Sequence, residues 1–567
     1  MARKVFVSVL GATNYGACEY IKDGLSYGTT RFIQVSTLRM LTSSGTWSHD
    51  HDVAYFLLTE QAEKMNWVDE GQLDRVTSKP IKGIKGLQNS LLDLEQETGK
   101  VRFPRIEAIS RLPMGNNEQE IWTIFNQVFN RLEDGDELYF DLTHGFRYLP
   151  MLILVLGNYS KFLKQATVKG ITYGNYESRN AQNQAPIVDL LPLSQLQDWT
   201  FAAGQFLESG HVKRLVSLCQ SSYAPILKNT RGQDEAARQL RTFSEALDKV
   251  MSDFQTCRGM AVINASNLKR VISTATILNT TFISAFNPIF DKIKASLNDF
   301  DVQPNIRNAI VAARWCYEKG MYQQSATFLQ EAIVSFFCNQ HGIRIDDEDA
   351  REVVNGAINI KAWNIAEDKW RGDKMMIRKL IEDCMMTNQL ANDFDNLTTV
   401  RNDINHSGMR SKRQPMEYSG IVKNIKKCID GIDDSIFSVS LPDSAKEKVL
   451  VNFSNHPYNQ WSEAQRGAAA TYGKVTDMPF PAIDPNDEFP ALMALVDKYT
   501  EDFSALANEH DVTVHVMGEM TFTFSFVNRM KEIGIPCVAS TTKRVVTSQP
   551  DGSKNSVFEF VRFRSYE

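Results

Sequence analysis

The run YFDLTHGFRYLPML, Tyr139 to Leu152, places Asp141, Thr143, His144 and Arg147 within seven residues. A carboxylate, a hydroxyl, an imidazole and a guanidinium so close together suit either acid–base chemistry or capture of a polar ligand. Gly145 permits a tight turn, and a helix beginning just after it would present free amides and a positive dipole end to a phosphate. Arg147 adds a rigid fork that matches phosphate oxygens, while Thr143 and His144 can bond to sugar or base edges. The cluster holds no paired base and nucleophile and no metal-ligand set, so capture is the stronger reading of it. In the plainer alternative Asp141 and Thr143 cap the helix and His144 is half-buried.

A second group lies in RNDINHSGMRSKR, Arg401 to Arg413. Arg401 and His406 stand one helical turn and a residue apart, with Asn402 and Asn405 between them, and Gly408 is placed to stop a helix just beyond. Arg410, Lys412 and Arg413 follow as a basic patch for a phosphate backbone. Such a pair suits RNA: His406 would move a proton between a ribose 2′-OH and a leaving 5′-oxygen, and Arg401 would stabilise the crowded phosphoryl group. No carboxylate cluster accompanies them, so a metal-independent cut leaving a 2′,3′-cyclic phosphate is the natural form, and the 2′-OH requirement restricts it to RNA. One sparse pair suggests two copies across a symmetric dimer. The alternative is a solvated helix end with a surface histidine.

The elements that must position these groups follow from periodicity. Up to about residue 185, strand-like runs (4–10, 31–41, 52–59, 137–143, 168–176) alternate with helix-like ones (117–132, 147–163). That is the pattern of a Rossmann-like α/β domain, which binds ligands where strand order reverses. The loop Gly11 to Gly16, with Asn14 and Tyr15, would meet the Asp141–Arg147 turn there, and Tyr173–Tyr176 would add an aromatic wall. The loop's glycine spacing is that of a phosphate loop, but Ala17 and Cys18 replace the Lys and Ser/Thr of an NTPase motif. From about 186 to 440 apolar residues recur at helical spacing. After a linker around 440–448 with Pro442, residues 445–567 return to strands (448–454, 512–519, 536–542, 556–565) and helices (462–473, opened by a Ser462/Gln465 capping box, and 522–534), a second, small α/β domain. The fold class expected is therefore multidomain α/β plus all-α.

At 567 residues the chain exceeds one compact core. Its net charge of -6 excludes a whole-surface basic nucleic-acid binder, leaving only a local groove. Eight scattered cysteines form no CxxC pair and no metal-spaced cluster, which argues against disulfide scaffold and structural zinc and for a reducing cytoplasm. No apolar run is long enough to span a bilayer, and the first residues lack a cleavable signal pattern.

Taken together, DLTHGFR and VFVSVLGATNYG resemble the CRISPR-associated DxTHG-motif proteins, and RNDINH resembles the R-x4-H motif of their HEPN ribonuclease domains. The resemblance covers roughly residues 1 to 440. It implies a CARF sensor (1–185) that binds cyclic oligoadenylate, most simply cyclic tetra-adenylate, at a dimer interface through Gly11, Asn14, Tyr15, Asp141, Thr143, His144, Gly145 and Arg147. It also implies a helical region (186–440) whose HEPN site, Arg401, His406, Asn402 and Asn405, cuts single-stranded RNA in type III CRISPR defence, with no cofactor beyond the allosteric activator. VNFSNHPYNQWSEAQ, PFPAIDP and VHVMGEMTFTF are similar to small CRISPR-associated proteins counted among ring nucleases, which degrade the activator. In that tail Asn455, His456, Glu519, Thr521, Thr541 and Lys543 would form a phosphate pocket with a proton-transfer group; the alternative is a partner-binding or dimerisation module. Two further readings stay open: a ligand-binding regulator without ribonuclease activity, and ring cleavage in the N-terminal pocket with His144 taking part.

Overall fold

The first apolar run, KVFVSVL, becomes strand β1 (Lys4–Leu10) inside an eight-stranded sheet. This computed structural model describes residues 2–74, 79–145, 148–281, 286–409, 414–432, 436–437, 448–548 and 554–566. The other strands of the sheet are β2 (Cys18–Lys22), β3 (Leu25–Thr30), β4 (Val53–Thr59), β5 (Arg105–Leu112), β6 (Glu137–Asp141), β7 (Thr167–Gly174) and β8 (Gln184–Asp189), in the order β3-β2-β8-β7-β6-β1-β4-β5. β1 runs parallel to β4 on one side and to β6 on the other. Strand order therefore reverses at β1, and the loops leaving β1 and β6 open the crevice in which α/β sheets bind ligands. Val5, Val7, Val9, Leu138 and Phe140 pack under Leu152, Ile153 and Leu156 of the helix Leu149–Leu163. Phe6, Leu10, Phe56 and Leu58 fill the opposite face. Both faces are covered, which is why β1 and β4 read as nearly continuous apolar runs.

Residues 31–41, expected as a strand from their β-branched content, form the helix Ile33–Thr42 instead. Phe32, Val35 and Leu38 recur every three residues and enter one core cluster, while Ile33 enters another beside Tyr20. Helical burial on two sides outweighs local β-propensity here. The β2–β3 hairpin, absent from the sequence expectation, turns on Asp23-Gly24 with φ of +52° and +78°. An Asp-Gly pair supplies that left-handed geometry.

By its internal packing the chain falls into two compact units, Met1–Leu240 with Thr276–Ile293, and Arg241–Ala275 with Lys294–Glu567. This division differs from the three-part plan 1–185, 186–440 and 445–567, because the second unit includes both helices and the second sheet. Between Leu191 and Asp430 the described elements are all helical. The expected linker at 440–447 lies outside the described residues. The second sheet comprises β9 (Lys448–Ser454), β10 (Lys474–Asp477), β11 (Asp511–Met517), β12 (Cys537–Ser548) and β13 (Lys554–Ser565), ordered β10-β9-β11-β12-β13. Only β13 runs antiparallel to its neighbour. Helices Phe489–Glu509 and Met520–Glu532 cover Val451, Phe453, Val514 and Val516 on one face. The short helix Glu463–Ala469 covers the other, capped by Ser462, whose hydroxyl accepts from the Gln465 amide. Half of the expected capping box forms, since the Gln465 side chain turns to Ser540 rather than back to Ser462.

Candidate functional site

Asp141 ends β6 directly opposite Ser8 of β1 and is 1% exposed. One carboxylate oxygen accepts from Ser8 Oγ at 2.7 Å, and the other from the Thr143 amide at 3.2 Å and Thr143 Oγ1 at 2.5 Å. Burial pushes the Asp141 pKa up, opposed by these bonds. Thr143 Oγ1 then accepts from the Gly174 amide at 2.7 Å, tying the turn to β7. The enclosure of Asp141 corrects the expectation that this carboxylate touches ligand. Asp141 is enclosed with both oxygens engaged, Thr143 bonds within the frame, and neither caps the helix Leu149–Leu163 as the plainer sequence reading expected.

His144, the next residue, lies flat on Tyr15 with ring centroids 4.2 Å apart and planes at 29°. Tyr15 Oη accepts from the Gly11 amide at 2.8 Å, and the Tyr15 ring meets Phe32 edge-on at 6.0 Å. His144 Nε2 is buried without a hydrogen-bond partner. Burial pushes the His144 pKa down to about 4 and that of Tyr15 up to about 12, so both are neutral at pH 7. A buried polar atom without a partner costs about 1–3 kcal/mol, a cost a ligand can relieve.

Gly11 and Gly145 make the room. A Cβ on Gly11 would stand 2.6 Å from Tyr15 Oη, and one on Gly145, at φ +121°, would stand 2.4 Å from Leu149 Cδ1. Asn14 donates through Nδ2 to the Leu73 carbonyl at 3.2 Å, leaving Oδ1 buried and unpartnered. Asn66, which sequence reasoning missed, fixes the loop: its Nδ2 donates to the carbonyls of Gly11 at 2.9 Å and Thr13 at 2.8 Å. Nothing local marks it, since its role comes from a segment more than fifty residues away. From the third loop Tyr176 crowds Gly16, with the Arg179 guanidinium 3.4 Å above its ring. The three expected loops do converge. Arg147 lies outside the described residues.

The helix Asn388–Asn405 ends at the Arg401/His406 pair, with His406 as its C-cap. Ser407 and Gly408 take φ of +53° and +69°, and the Gly408 amide donates to the Asp403 carbonyl at 2.8 Å, the stop expected at that glycine. Arg401 Nη1 donates to Gln330 Oε1 at 3.1 Å, and its Nε is buried without a partner. Gln323 Nε2 donates to Asn405 Oδ1 at 3.0 Å. Gln323 and Gln330 lie seven residues apart on one face of the helix Tyr322–Gln340, a two-turn spacing that could have flagged them. His406 is exposed, and Asn402 half-buried. Arg410, Lys412 and Arg413 lie outside the described residues.

In the second sheet three of the six expected tail residues, Glu519, Thr521 and Thr541, make local structural bonds. Glu519 caps the helix Met520–Glu532, accepting from the Thr521 and Phe522 amides and from Thr521 Oγ1 at 2.6 Å. Those bonds pull its pKa below the usual carboxylate value. Thr541 Oγ1 donates to the Arg562 carbonyl at 2.9 Å, and exposed Lys543 stands opposite Glu559. Asn455 and His456 are exposed just beyond β9. Glu519, Thr521 and Thr541 thus serve a helix cap and a strand ladder. The polar side chains that meet across this sheet are Asn452, His515 and Ser540. Among the described residues no group of three or more His, Cys, Asp or Glu side chains could hold a metal, and no helix is long and apolar enough to cross a membrane.

Residues 5–177 match the family model of the CRISPR system endoribonuclease Csx1 CARF domain, and residues 448–564 that of the uncharacterized protein MJ1673 family. The chain is 23% identical over 356 residues to CRISPR-associated protein MJ1674 of Methanocaldococcus jannaschii, covering 61% of this chain and 49% of the relative. It therefore spans about half the length of the curated relative it matches. A solved structure of Enterococcus italicus Csm6 bound to cyclic hexa-2′-fluoro-hexa-dAMP aligns with 77% of this chain and 95% of its own at 10% identity, with a TM-score of 0.35, too low to carry a structural argument. By these matches, with the switch-point loops in place, residues 5–177 are similar to the CARF domain of CRISPR-associated proteins.

Proposed function

We propose that the protein is a ribonuclease switched on by cyclic oligoadenylate, with cyclic tetra-adenylate the expected ring. The observation that carries this reading is the stacked Tyr15–His144 pair at the switch point, with His144 Nε2 buried and unpartnered. An adenine or ribose edge supplies the missing partner, and the aromatic pair supplies a face for a base. The matched CARF model carries the words CRISPR system endoribonuclease in its description, in keeping with a cutting domain on the same chain. Binding switches the protein on only if the ring favours the cutting-competent arrangement over the resting one.

Cleavage falls to Arg401 and His406. His406 takes the proton of a ribose 2′-OH, the 2′-oxygen attacks the adjacent phosphorus, and the 5′-oxygen leaves with a proton, giving a 2′,3′-cyclic phosphate. Arg401, held by Gln330, stabilises the charge on the crowded phosphoryl group. The helix Leu149–Leu163 exposes Met151, Val155 and Phe162, an apolar stripe suited to a second copy of the chain that would double the sparse site. Residues 448–564 are read as limiting the response by degrading the ring. A fluorescence-quenched RNA reporter tests the main reading: cleavage that starts only when a cyclic oligoadenylate is added supports it, and cleavage indifferent to the ring refutes it.

A further inference from the structure

We propose that Ser540, His515 and Asn452 form a nucleophile, base and orienting group that open a nucleotide phosphodiester through a covalent Ser540 intermediate. The three stand on the adjacent parallel strands β12, β11 and β9. His515 pairs with Asn452 in the β9–β11 ladder and with Val538 in the β11–β12 ladder, which puts Ser540 level with Met517, the last residue of β11. Ser540 therefore sits at the carboxyl edge of the parallel strands, where α/β folds place their sites.

The hydrogen bonds around Asn452 assign the imidazole tautomer of His515. Asn452 Nδ2 donates to the His456 carbonyl at 2.8 Å and to Asp477 Oδ1 at 2.7 Å, so its Oδ1 must be the atom that faces His515. That oxygen lies 2.9 Å from His515 Nδ1 and also accepts from Ser454 Oγ at 2.7 Å. Nδ1 hence carries the imidazole proton, and Nε2 offers its lone pair to Ser540 Oγ at 2.9 Å. Gln465 Nε2 donates to the same Oγ at 3.1 Å, which leaves the serine proton to point at His515. His515 and Asn452 are each 1% exposed, whereas Ser540 is half-buried. Trp461 and Phe563 box the imidazole edge-on at 5.0 and 5.4 Å. Interior parallel strands are ordinarily apolar on both faces, so a polar row across three of them is a departure a packing role alone does not require.

In the step itself Ser540 Oγ bonds to phosphorus while its proton passes to His515 Nε2. The bond from phosphorus to the 5′-oxygen breaks, and that oxygen leaves with the proton. Water then attacks phosphorus, giving its proton to Nε2, and the phosphorus–Oγ bond breaks as Oγ regains a proton. The net reaction consumes one water, leaves a 3′-phosphate and a 5′-hydroxyl, and needs no 2′-OH. Asn452 is a positioning residue. The choice of phosphodiester rests on the ring-decay reading; the activated serine does not.

The test uses the full chain, a fluorophosphonate probe, and two tetra-adenylate rings, one of ribose and one of 2′-deoxyribose. An adduct on Ser540 is expected in the wild-type protein, absent from Ser540→Ala and formed roughly 10²-fold more slowly or worse in His515→Gln. Asn452→Asp should move the acid limb of labelling to higher pH, a shift that a merely structural asparagine would not cause. The deoxy ring should open in a Ser540-dependent way. A folded wild-type chain with no adduct on Ser540 overturns the inference, even if the ribose ring decays to a 2′,3′-cyclic phosphate. An adduct with both rings left closed overturns the phosphodiester substrate and the ring-decay reading while the activated serine stands.

Discussion

His144 rests on Tyr15 with ring centroids 4.2 Å apart, and its Nε2 is buried without a hydrogen-bond partner. Replacing either ring removes a base platform, and His144→Ala also removes the unsatisfied donor or acceptor. Each variant should bind cyclic tetra-adenylate more weakly by about 1–3 kcal/mol, roughly 5- to 150-fold, by calorimetric titration. Asp141→Asn should act differently. It loosens the turn through Ser8 and Thr143, so it should lower the thermal midpoint along with affinity.

Burial holds the His144 pKa at about 4, so its charge state does not change between pH 6 and 8. Ring affinity should be flat over that interval in titrations at constant ionic strength. A step near pH 6.5 would mean that the imidazole titrates at its ordinary value and is open to water.

His515 carries a stability consequence. Burial, then the nearby His456, pushes its pKa down to about 4 from an ordinary 6.5. The folded state resists protonation more than the unfolded chain does, so its stabilising effect is complete above about pH 6.5 and is lost as pH falls toward 4. The loss should approach about 3 kcal/mol. Urea titrations at pH 7 and 4.5 should show it, and His515→Gln should flatten the difference.

Arg401 is held by Gln330, and Asn405 by Gln323. His406→Ala should lower activated RNA cleavage by about 10²- to 10⁴-fold with ring binding unchanged. Gln330→Ala, which frees the guanidinium, should cost about tenfold in cleavage, and Gln330→Glu should cost less than Gln330→Ala because it still holds Arg401.

Met151, Val155 and Phe162 lie on one exposed side of the helix Leu149–Leu163. Phe162→Glu with Val155→Glu should convert a dimer to a monomer in sedimentation equilibrium. Activated cleavage should fall in proportion if two Arg401/His406 sets must meet.

Much of this was legible in the chain. The β1 run is apolar but for Lys4 and Ser8 because both sheet faces are covered, and its loop meets that of β6 because strand order reverses between them. Gly408 announced the end of the helix that carries His406. Other features were hidden for physical reasons. Asp141 and Thr143 look like ligand groups in sequence, and only the register with Ser8 and the Gly174 amide shows them bonded into the frame. Glu519 and Thr521 likewise resolve into a helix cap. Asn452, His515 and Ser540 lie in three runs read as strands, and only the pairing of β9, β11 and β12 brings them together. The helix Ile33–Thr42 escaped because its β-branched residues are placed by packing on two sides rather than by local preference.

The most direct measurement follows a quenched RNA reporter with cyclic tri-, tetra- and hexa-adenylate added separately to the wild-type chain and to His144→Ala. Cleavage should be absent without a ring and start with one ring size, tetra-adenylate, and His144→Ala should need at least fivefold more of that ring to reach the same rate. Equal cleavage with and without every ring, or an identical dose response in His144→Ala, would contradict a ribonuclease governed by the Tyr15–His144 pocket.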